Sequence, residues 1–342
     1  MRNIDLRSDT VTLPTKEMLT AIQTAQLGDD ARGREDLTVR RLEELAAEKM
    51  GKEDALLVPS GTMGNSVSIL AQTQRGDEVI LERNSHVMTS EYGSWIIIGG
   101  LIPVTIVGKM GYMEPHDVAN AIKASGKPKT GLICLENTHN NAGGIAMNPE
   151  QMKAIRDVAK EQNLPVHLDG ARIFNAALYL GVDVRQLARY TDSVTFCLSK
   201  GLSAPVGSVV CGNKEFISQA RYYRRLLGGA MRQAGIIAAP GIIAITKMVD
   251  RLKEDHEAAA LLAQGLQQIN GIKLLHPIQT NIIRFDVGGL GMTGDHFMKE
   301  MAKFGIKTGG GSRSELRVVT HFGITREDID CTIECVKELA TK

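Results

Sequence analysis

The chain has no excess of charge of one sign. Its 342 residues include 40 Lys and Arg residues against 39 Asp and Glu residues, a formal net charge of +1. Proteins that bind nucleic acid or an anionic membrane through their surface charge need a basic patch or stripe. We therefore expect neither a nucleic-acid partner nor a membrane partner.

The chain also lacks a long apolar run. A membrane-spanning helix needs about 20 consecutive apolar residues, and no segment approaches that length. The N-terminus carries Arg2, Asp5 and Asp9 where a secretory signal would have a continuous apolar core. The sequence therefore predicts a cytoplasmic protein.

Cysteine is scarce, with five residues in the whole chain. Cys134, Cys197 and Cys211 lie inside apolar, strand-like runs, where a thiol usually serves as a small buried hydrophobe in a reducing compartment. Cys331 and Cys335 are spaced to share one helical face, but a metal site needs further ligands and none is nearby in the sequence. We expect packing roles for these cysteines and no metal site.

The length exceeds that of a single typical core, so two domains are expected. From about residue 55 to about residue 212, strand-like runs alternate with segments of helical spacing, which predicts a doubly wound, mostly parallel α/β sheet. From about residue 250 the pattern changes to a charged helix and short strands, typical of a smaller α+β domain. We therefore assign residues 1–249 to an N-terminal arm and a large domain, and residues 250–342 to a small domain.

One strand-like run, residues 194–198, is followed by a serine and then by Lys200. A buried ammonium without a partner or a covalent use costs several kcal/mol, so Lys200 is the first functional candidate. A second run of the same design, residues 165–168, is followed by Asp169 and Arg172. Because ligands of such sheets bind beyond the carboxyl ends of the strands, we expect these side chains to meet at one edge.

Two interpretations fit an acid and a lysine at neighbouring strand ends. A structural ion pair is the plainer one. The other is a site for pyridoxal 5'-phosphate (PLP), which needs a lysine amine for its Schiff base and an acid that keeps its pyridine nitrogen protonated. Residue types alone leave both interpretations open.

Six sequence strings, in order along the chain, decide between them. They are DLRSDTVT at residues 5–12, PSGTMGN at 59–65, ENTHN at 136–140, HLDGARIFN at 167–175, CLSKG at 197–201 and GGAMRQ at 228–233. With these strings the chain resembles the low-specificity L-threonine aldolases and L-allo-threonine aldolases, nearly from end to end. The resemblance implies the fold-type I architecture of PLP-dependent enzymes, with PLP as cofactor.

The resemblance also implies which residues hold the cofactor. Lys200 would form the Schiff base, and Asp169 would keep the pyridine nitrogen protonated. Gly61 and Thr62 would cradle the phosphate at a small-residue turn that opens a helix, a site where backbone N–H groups are free for an anion. Ser199 would be a further phosphate contact.

Five more site residues follow from the same resemblance. His86 would stack on the cofactor ring, face the substrate hydroxyl and join Lys200 and Asp169 as a catalytic residue. Arg172 would lie near the ring oxygen and, with Ser8 and Arg317, near the substrate carboxylate. Arg232 would cross a dimer interface and complete the neighbouring cofactor site. From the residues alone, the segment around Ser8 could equally be a surface arm, His86 a helix cap, and the arginines solvated surface charges.

Three segments depart from the family pattern. The family carries an Ile-His-Phe string shortly before ENTHN, and its histidine assists the step at the substrate hydroxyl; in this chain residues 123–130 contain no histidine. Residues 31–33 replace a Val-Tyr-Gly string, and residues 87–89 replace an aromatic after His86. These changes lie on the substrate side, whereas the cofactor motifs are complete.

The leading prediction is a PLP-dependent carbon–carbon lyase that splits L-threonine or L-allo-threonine into glycine and an aldehyde. It would be a homodimer or homotetramer with active sites at the subunit interface. The missing histidine motivates a second hypothesis, a β-eliminating lyase, racemase or aminotransferase that acts on another small amino acid. A third is a PLP-fold protein that binds without turnover, against which the intact Lys200 and Asp169 count.

Overall fold

The computed structural model describes residues 3–31, 33–91, 93–124, 128–311 and 313–341. The strands in chain order are β1 (Ile4–Asp5), β2 (Asp54–Val58), β3 (Glu78–Glu82), β4 (Ile102–Ile106), β5 (Thr130–Glu136), β6 (Val166–Asp169), β7 (Ser193–Cys197), β8 (Ser208–Gly212), β9 (Lys273–Leu274), β10 (Ile282–Asp286), β11 (Ile306–Lys307), β12 (Gly309–Gly310) and β13 (Glu315–Val319). The helices are α1 (Lys16–Thr24), α2 (Leu37–Met50), α3 (Gly61–Gln72), α4 (His86–Thr89), α5 (Pro115–Ala124), α6 (Pro149–Glu161), α7 (Ile173–Leu180), α8 (Arg185–Ala188), α9 (Lys214–Leu226), α10 (Gly235–Lys247), α11 (Leu252–Gln267), α12 (Gly294–Lys303) and α13 (Arg326–Ala340). None of the helices in this part of the chain has the length and apolar character that crossing a bilayer requires.

The larger sheet has seven strands in the order β2, β8, β7, β6, β5, β3, β4. From β7 to β4 every pairing is parallel, whereas β8 runs antiparallel to both of its neighbours. Strands β5, β6 and β7 are buried along their whole length, as expected for parallel strands that helices cover on both faces. The predicted mostly parallel α/β sheet is confirmed, with one antiparallel strand inserted.

The register of this sheet aligns the strand ends that carry the polar side chains. Glu136 at the end of β5 is opposite Asp169 at the end of β6, and Asp169 is opposite Thr195 of β7. The residues after β7 therefore leave the sheet at the same edge as Glu136 and Asp169. This alignment brings the polar residues after each strand to one place.

A smaller sheet of four antiparallel strands, in the order β12, β13, β10, β9, lies in the C-terminal part. Its core also contains Ile4 and Leu6 from the start of the chain, because β1 pairs in parallel with β11. Ile4 and Leu6 thus pack with the C-terminal unit. The domain boundary near residue 250 stays a prediction.

Local signals explain where the helices start and stop. Helix α2 begins after Asp36, whose carboxylate accepts the N–H of Val39, and it ends at Gly51, which has the left-handed φ of +63° that favours glycine. Asn148 and Gln151 form a reciprocal capping box at the start of α6. Cys134, Cys197 and Cys211 are buried free thiols within the core, as predicted.

Candidate active site

A cavity of about 300 Å³ lies beyond the carboxyl ends of β5, β6 and β7. Nine of the ten site residues predicted from the sequence line it: Ser8, Gly61, Thr62, His86, Asp169, Arg172, Ser199, Lys200 and Arg317. A second cleft of about 560 Å³ adjoins this cavity and shares Asn140 and Arg317 with it. The structure therefore brings together residues that are spread over more than three hundred positions of the chain.

The acid and the amine that motivated the prediction both line this cavity. Asp169 is buried, and its Oδ2 accepts a hydrogen bond of 3.0 Å from Nδ2 of Asn65 while its Oδ1 accepts the N–H of Ala171 at 3.0 Å. Lys200 is half-buried, and its carbonyl accepts the hydroxyl of Thr12 at 2.9 Å. These bonds hold the carboxylate firmly and tie the lysine backbone to the N-terminal arm.

His86 has a carboxylate partner that sequence reasoning missed. Its Nδ1 lies 2.7 Å from Oε1 of Glu91. Glu91 is buried, and its Oε2 accepts a 3.1 Å hydrogen bond from Nδ2 of Asn65. The hydrogen bond to Glu91 raises the pKa of His86, and burial opposes the rise. Because a carboxylate only accepts, we infer that Nδ1 carries the proton and that Nε2 is left as a base. A glutamate five positions after the histidine was the available sequence signal.

Arg172 is held by a second residue that the prediction assigned no role. Its Nε and Nη2 donate to the two oxygens of Asp9 at 2.7 Å each, and both side chains are buried. Burial alone would raise the pKa of Asp9, but the charge and hydrogen bonds of Arg172, together with the charges of Lys200 and Arg317, outweigh it and the pKa is lowered. Asp9 thus fixes the guanidinium plane in a bidentate pair.

Arg317 is less completely paired than Arg172. Its Nη2 donates to Oδ1 of Asn140 at 3.0 Å, and the same oxygen accepts Nη1 of Arg172 at 3.1 Å. Its Nε is buried and has no hydrogen-bond partner among the described residues. Burial, with the like charge of Arg172, lowers the pKa of Arg317 to about 10. A buried donor without a protein partner needs a ligand group or a water as its acceptor.

The start of α3 supplies backbone donors to the same cavity. Oγ of Ser60 caps the helix by accepting the N–H of Met63 at 3.1 Å. The first N–H groups of a helix have no partner within it, so those of Gly61 and Thr62 are available to an anion. A Cβ at Gly61 would stand 2.9 Å from Sγ of Cys197, so only glycine lets the helix approach β7 this closely.

This donor set fits PLP. A primary amine, a buried carboxylate and a helix N-terminus line one cavity, which matches the aldehyde, the pyridine nitrogen and the phosphate of that molecule. Oγ1 of Thr138 is a further buried atom at this cavity that lacks a hydrogen-bond partner within the described part of the chain. Such an atom needs a ligand or a water.

Arg232 is the predicted residue that does not line the cavity of its own chain. Its side chain is 64% exposed and lies 3.2 Å from Asp29. Its predicted place in a neighbouring subunit's site stays a prediction. Of the segments that depart from the family pattern, residues 32 and 125–127 lie outside the described residues.

Known proteins resemble this chain both in sequence and in structure. The sequence profile of the family described as "Beta-eliminating lyase" matches residues 5–288. "Low-specificity L-threonine aldolase 1" of Arabidopsis thaliana is 43% identical to the chain, and the match covers 99% of this chain and 96% of that protein. "Low specificity L-threonine aldolase" of Escherichia coli strain K12 is 38% identical, with 95% and 96% covered.

Among solved structures, the threonine aldolase of Leishmania major superposes with a TM-score of 0.84 at 18% identity, covering 98% of this chain and 99% of the other. A putative L-allo-threonine aldolase from Listeria monocytogenes superposes with a TM-score of 0.79 at 20% identity, covering 94% and 92%. At these identities the superpositions show a shared fold, the fold-type I of PLP-dependent enzymes.

Proposed function

Because the chain belongs to the beta-eliminating lyase family and, within it, to the low-specificity L-threonine aldolases, we propose that it splits L-threonine and L-allo-threonine into glycine and an aldehyde. The predicted family, fold class, enzyme class and cofactor are confirmed: this is a PLP-dependent carbon–carbon lyase of fold-type I. The roles of individual residues are the proposal that follows.

The observation that carries the proposal is the convergence of Lys200 and Asp169 on one cavity with a helix N-terminus. When bound, PLP supplies an electron sink for the electron pair released as the Cα–Cβ bond of the substrate breaks. Lys200 would hold the cofactor through its amine, and Asp169 would hold its ring nitrogen. The N–H groups of Gly61 and Thr62, with Ser199, would hold its phosphate.

Arg317 would bind the substrate carboxylate together with Arg172 and Ser8. Asn140 holds both guanidinium groups through one oxygen, and Asp9 fixes the plane of Arg172. Donors that are already fixed in place need little reorganisation when an anion arrives. A clamped carboxylate restricts rotation about the substrate Cα, so that the bond to be broken stays in its reactive orientation.

His86 would take the proton of the β-hydroxyl at Nε2, directly or through one water. The Nδ1–H bond to Glu91 orients the ring and stabilises the charged imidazolium that forms. This arrangement supplies a base although the chain lacks the family's Ile-His-Phe histidine. Proton removal from the β-hydroxyl is then the step at which this chain would use His86 with Glu91 in place of the missing histidine.

We further propose that the active molecule is a homodimer or homotetramer in the cytoplasm. Exposed apolar side chains flank Arg232 in the sequence, with Tyr222 and Leu226 on α9 before it and Ile236 on α10 after it. Exposed apolar side chains such as these are candidates for burial in an interface. A second copy that covers these residues would bring Arg232 toward its own cofactor site.

The test is an assay of the purified, PLP-loaded protein with three substrates. Acetaldehyde and glycine released from L-threonine in equal amounts are the expected result, with acetaldehyde measured by coupled reduction. Pyruvate released from serine, or exchange of the alanine α-proton, would indicate the β-eliminating lyase, racemase or aminotransferase of the second hypothesis. Pyruvate without acetaldehyde would reject the aldolase, and bound cofactor without any turnover would indicate a binding protein.

A further inference from the structure

Glu136, the last residue of β5, joins two walls of the cavity through its two carboxylate oxygens. Oε2 accepts the backbone N–H of His86 at 2.6 Å, and Oε1 accepts the backbone N–H of Asn140 at 2.7 Å. The side chain is 5% exposed and lines the cavity. We propose that Glu136 is a positioning residue that sets the distance between the base, His86, and the two arginines that would bind the substrate carboxylate, Arg172 and Arg317. This inference rests on the proposed aldol cleavage.

The two N–H groups belong to His86 and Asn140, one on each of these two walls. On one side, His86 begins α4 and carries the Nε2 that would accept the hydroxyl proton. On the other side, Asn140 presents the oxygen that holds Arg172 and Arg317. A shift of either backbone segment therefore moves a group that would contact substrate.

A second buried carboxylate supports the same loop from behind. Nδ1 of His139 accepts the N–H of Ala142 at 3.1 Å, so its proton is on Nε2, which donates to Oε2 of Glu82 at 3.1 Å. Nε2 of His139 also lies 3.9 Å from Oε2 of Glu136. Burial raises the pKa of Glu136, to which the charge of Asp169 adds, while His139 and the two backbone N–H groups oppose the rise.

The variant Glu136→Gln separates this role from simple space filling. A glutamine has nearly the same shape, but its amide nitrogen is a donor and cannot accept a backbone N–H, so one of the two bonds must break. Bonds to a charged acceptor are the stronger kind, and we expect kcat for L-threonine cleavage to fall about 10- to 100-fold. Glu136→Asp, which keeps the charge but is one methylene too short to span both walls, should show a similar loss.

A double-mutant cycle tests whether Glu136 acts through His86. In a His86→Asn background we expect Glu136→Gln to lower kcat by a smaller factor than in the wild type, because the part that acts through the base is already gone and only the part that acts through Asn140 remains. The matched control is Glu78→Gln at the start of β3, whose carboxylate accepts the hydroxyl of Thr130 at 3.5 Å and does not line the cavity. This control should equal the wild type in every measurement.

A readout independent of turnover is the affinity of the cofactor-free protein for PLP, measured by absorbance titration. We expect Glu136→Gln to raise the dissociation constant about tenfold, because one cavity wall is displaced, while thermal unfolding shows that the variant is folded. An unchanged dissociation constant and kcat, or losses that multiply fully in the double variant, would overturn the proposal. If the wild type releases no acetaldehyde, the proposed function fails, and the PLP titrations still decide whether Glu136 sets the cavity walls.

Discussion

At the scale of single residues, two charged groups of the site each have a specific buried carboxylate partner. Asp9 with Arg172 and Glu91 with His86 are the two central pairs. Burying an isolated charge costs far more than burying one that is paired and hydrogen-bonded. The cost of losing one partner should therefore depend on burial, which the following two variants test.

Asp9→Asn should lower the free energy of unfolding by about 3 kcal/mol, because it leaves the buried Arg172 charge without its carboxylate. The matched control is Asp5→Asn, whose partner Arg7 is half exposed and which should cost less than about 1 kcal/mol. The lowered pKa of Asp9 means that its contribution is present above its ordinary pKa of 3.8 and is lost as pH falls below it. Urea unfolding at neutral pH measures both variants, and equal costs would contradict the assignment.

Glu91→Gln should move the acid limb of the pH profile of kcat to lower pH. The hydrogen bond to Glu91 is the main cause that raises the pKa of His86 above its ordinary 6.5. Only the neutral ring can take the hydroxyl proton, so activity rises as pH passes upward through that pKa. Removing the carboxylate lowers the pKa, and the rise comes earlier. Steady-state rates from about pH 5 to 9 measure the limb; an unshifted limb would remove His86 as the base.

At the scale of elements, the helix caps and strand ends follow from local sequence, whereas strand direction does not. A fully buried strand is apolar on both faces whether it runs parallel or antiparallel, so the pattern of β8 carried no sign of its reversal. Asp36 likewise shows that local sequence predicts a helix cap but not the cap's long-range hydrogen bonds. Its spacing marks the start of α2, but its contacts with distant backbone groups belong to the folded chain.

Asp36→Ala should destabilise the protein by more than an ordinary cap does. Its carboxylate accepts three backbone N–H groups, those of Val39 at 3.0 Å, Gly28 at 3.1 Å and Gly235 at 2.8 Å. Losing a cap costs about 1 kcal/mol, and two further buried donors left unpaired bring the expected loss to about 3 kcal/mol.

Thr293→Ala is the comparison for that variant, because Thr293 caps α12 through the single N–H of His296 at 3.2 Å. It should cost about 1 kcal/mol. Chemical denaturation of both variants gives the difference. If Asp36→Ala is no more costly than Thr293→Ala, the long-range bonds of Asp36 contribute nothing measurable.

At the scale of the whole molecule, the cavity draws on both ends of the chain. Ser8 and Arg317 line it together with residues of the large sheet, and the pairing of β1 with β11 holds the N-terminal arm beside the C-terminal unit. The remaining question at this scale is the role of Arg232, which lies away from the cavity of its own chain.

Mixing two inactive variants should answer it. If Arg232 acts in the partner's site, a dimer of one Lys200→Ala chain and one Arg232→Ala chain contains one site with both residues intact. Random mixing of equal amounts should then recover about a quarter of wild-type activity, since about half the dimers are mixed and each has one working site. If verified mixed dimers recover no activity, Arg232 does not act in the partner's site.

The amino-acid sequence was sufficient for the family and the cofactor. Nine of the ten predicted site residues also line the cavity, because most of them lie in short strings such as HLDGARIFN and CLSKG that can be recognised without the fold. The hydrogen-bond partners became known only from the folded chain: Asp9 for Arg172, Glu91 for His86, and Glu136 for the backbone of both walls. For Asp9 and Arg172 the physical reason is distance along the chain. Asp9 and Arg172 are 163 positions apart, and a hydrogen bond between such residues leaves no periodic signal in either segment.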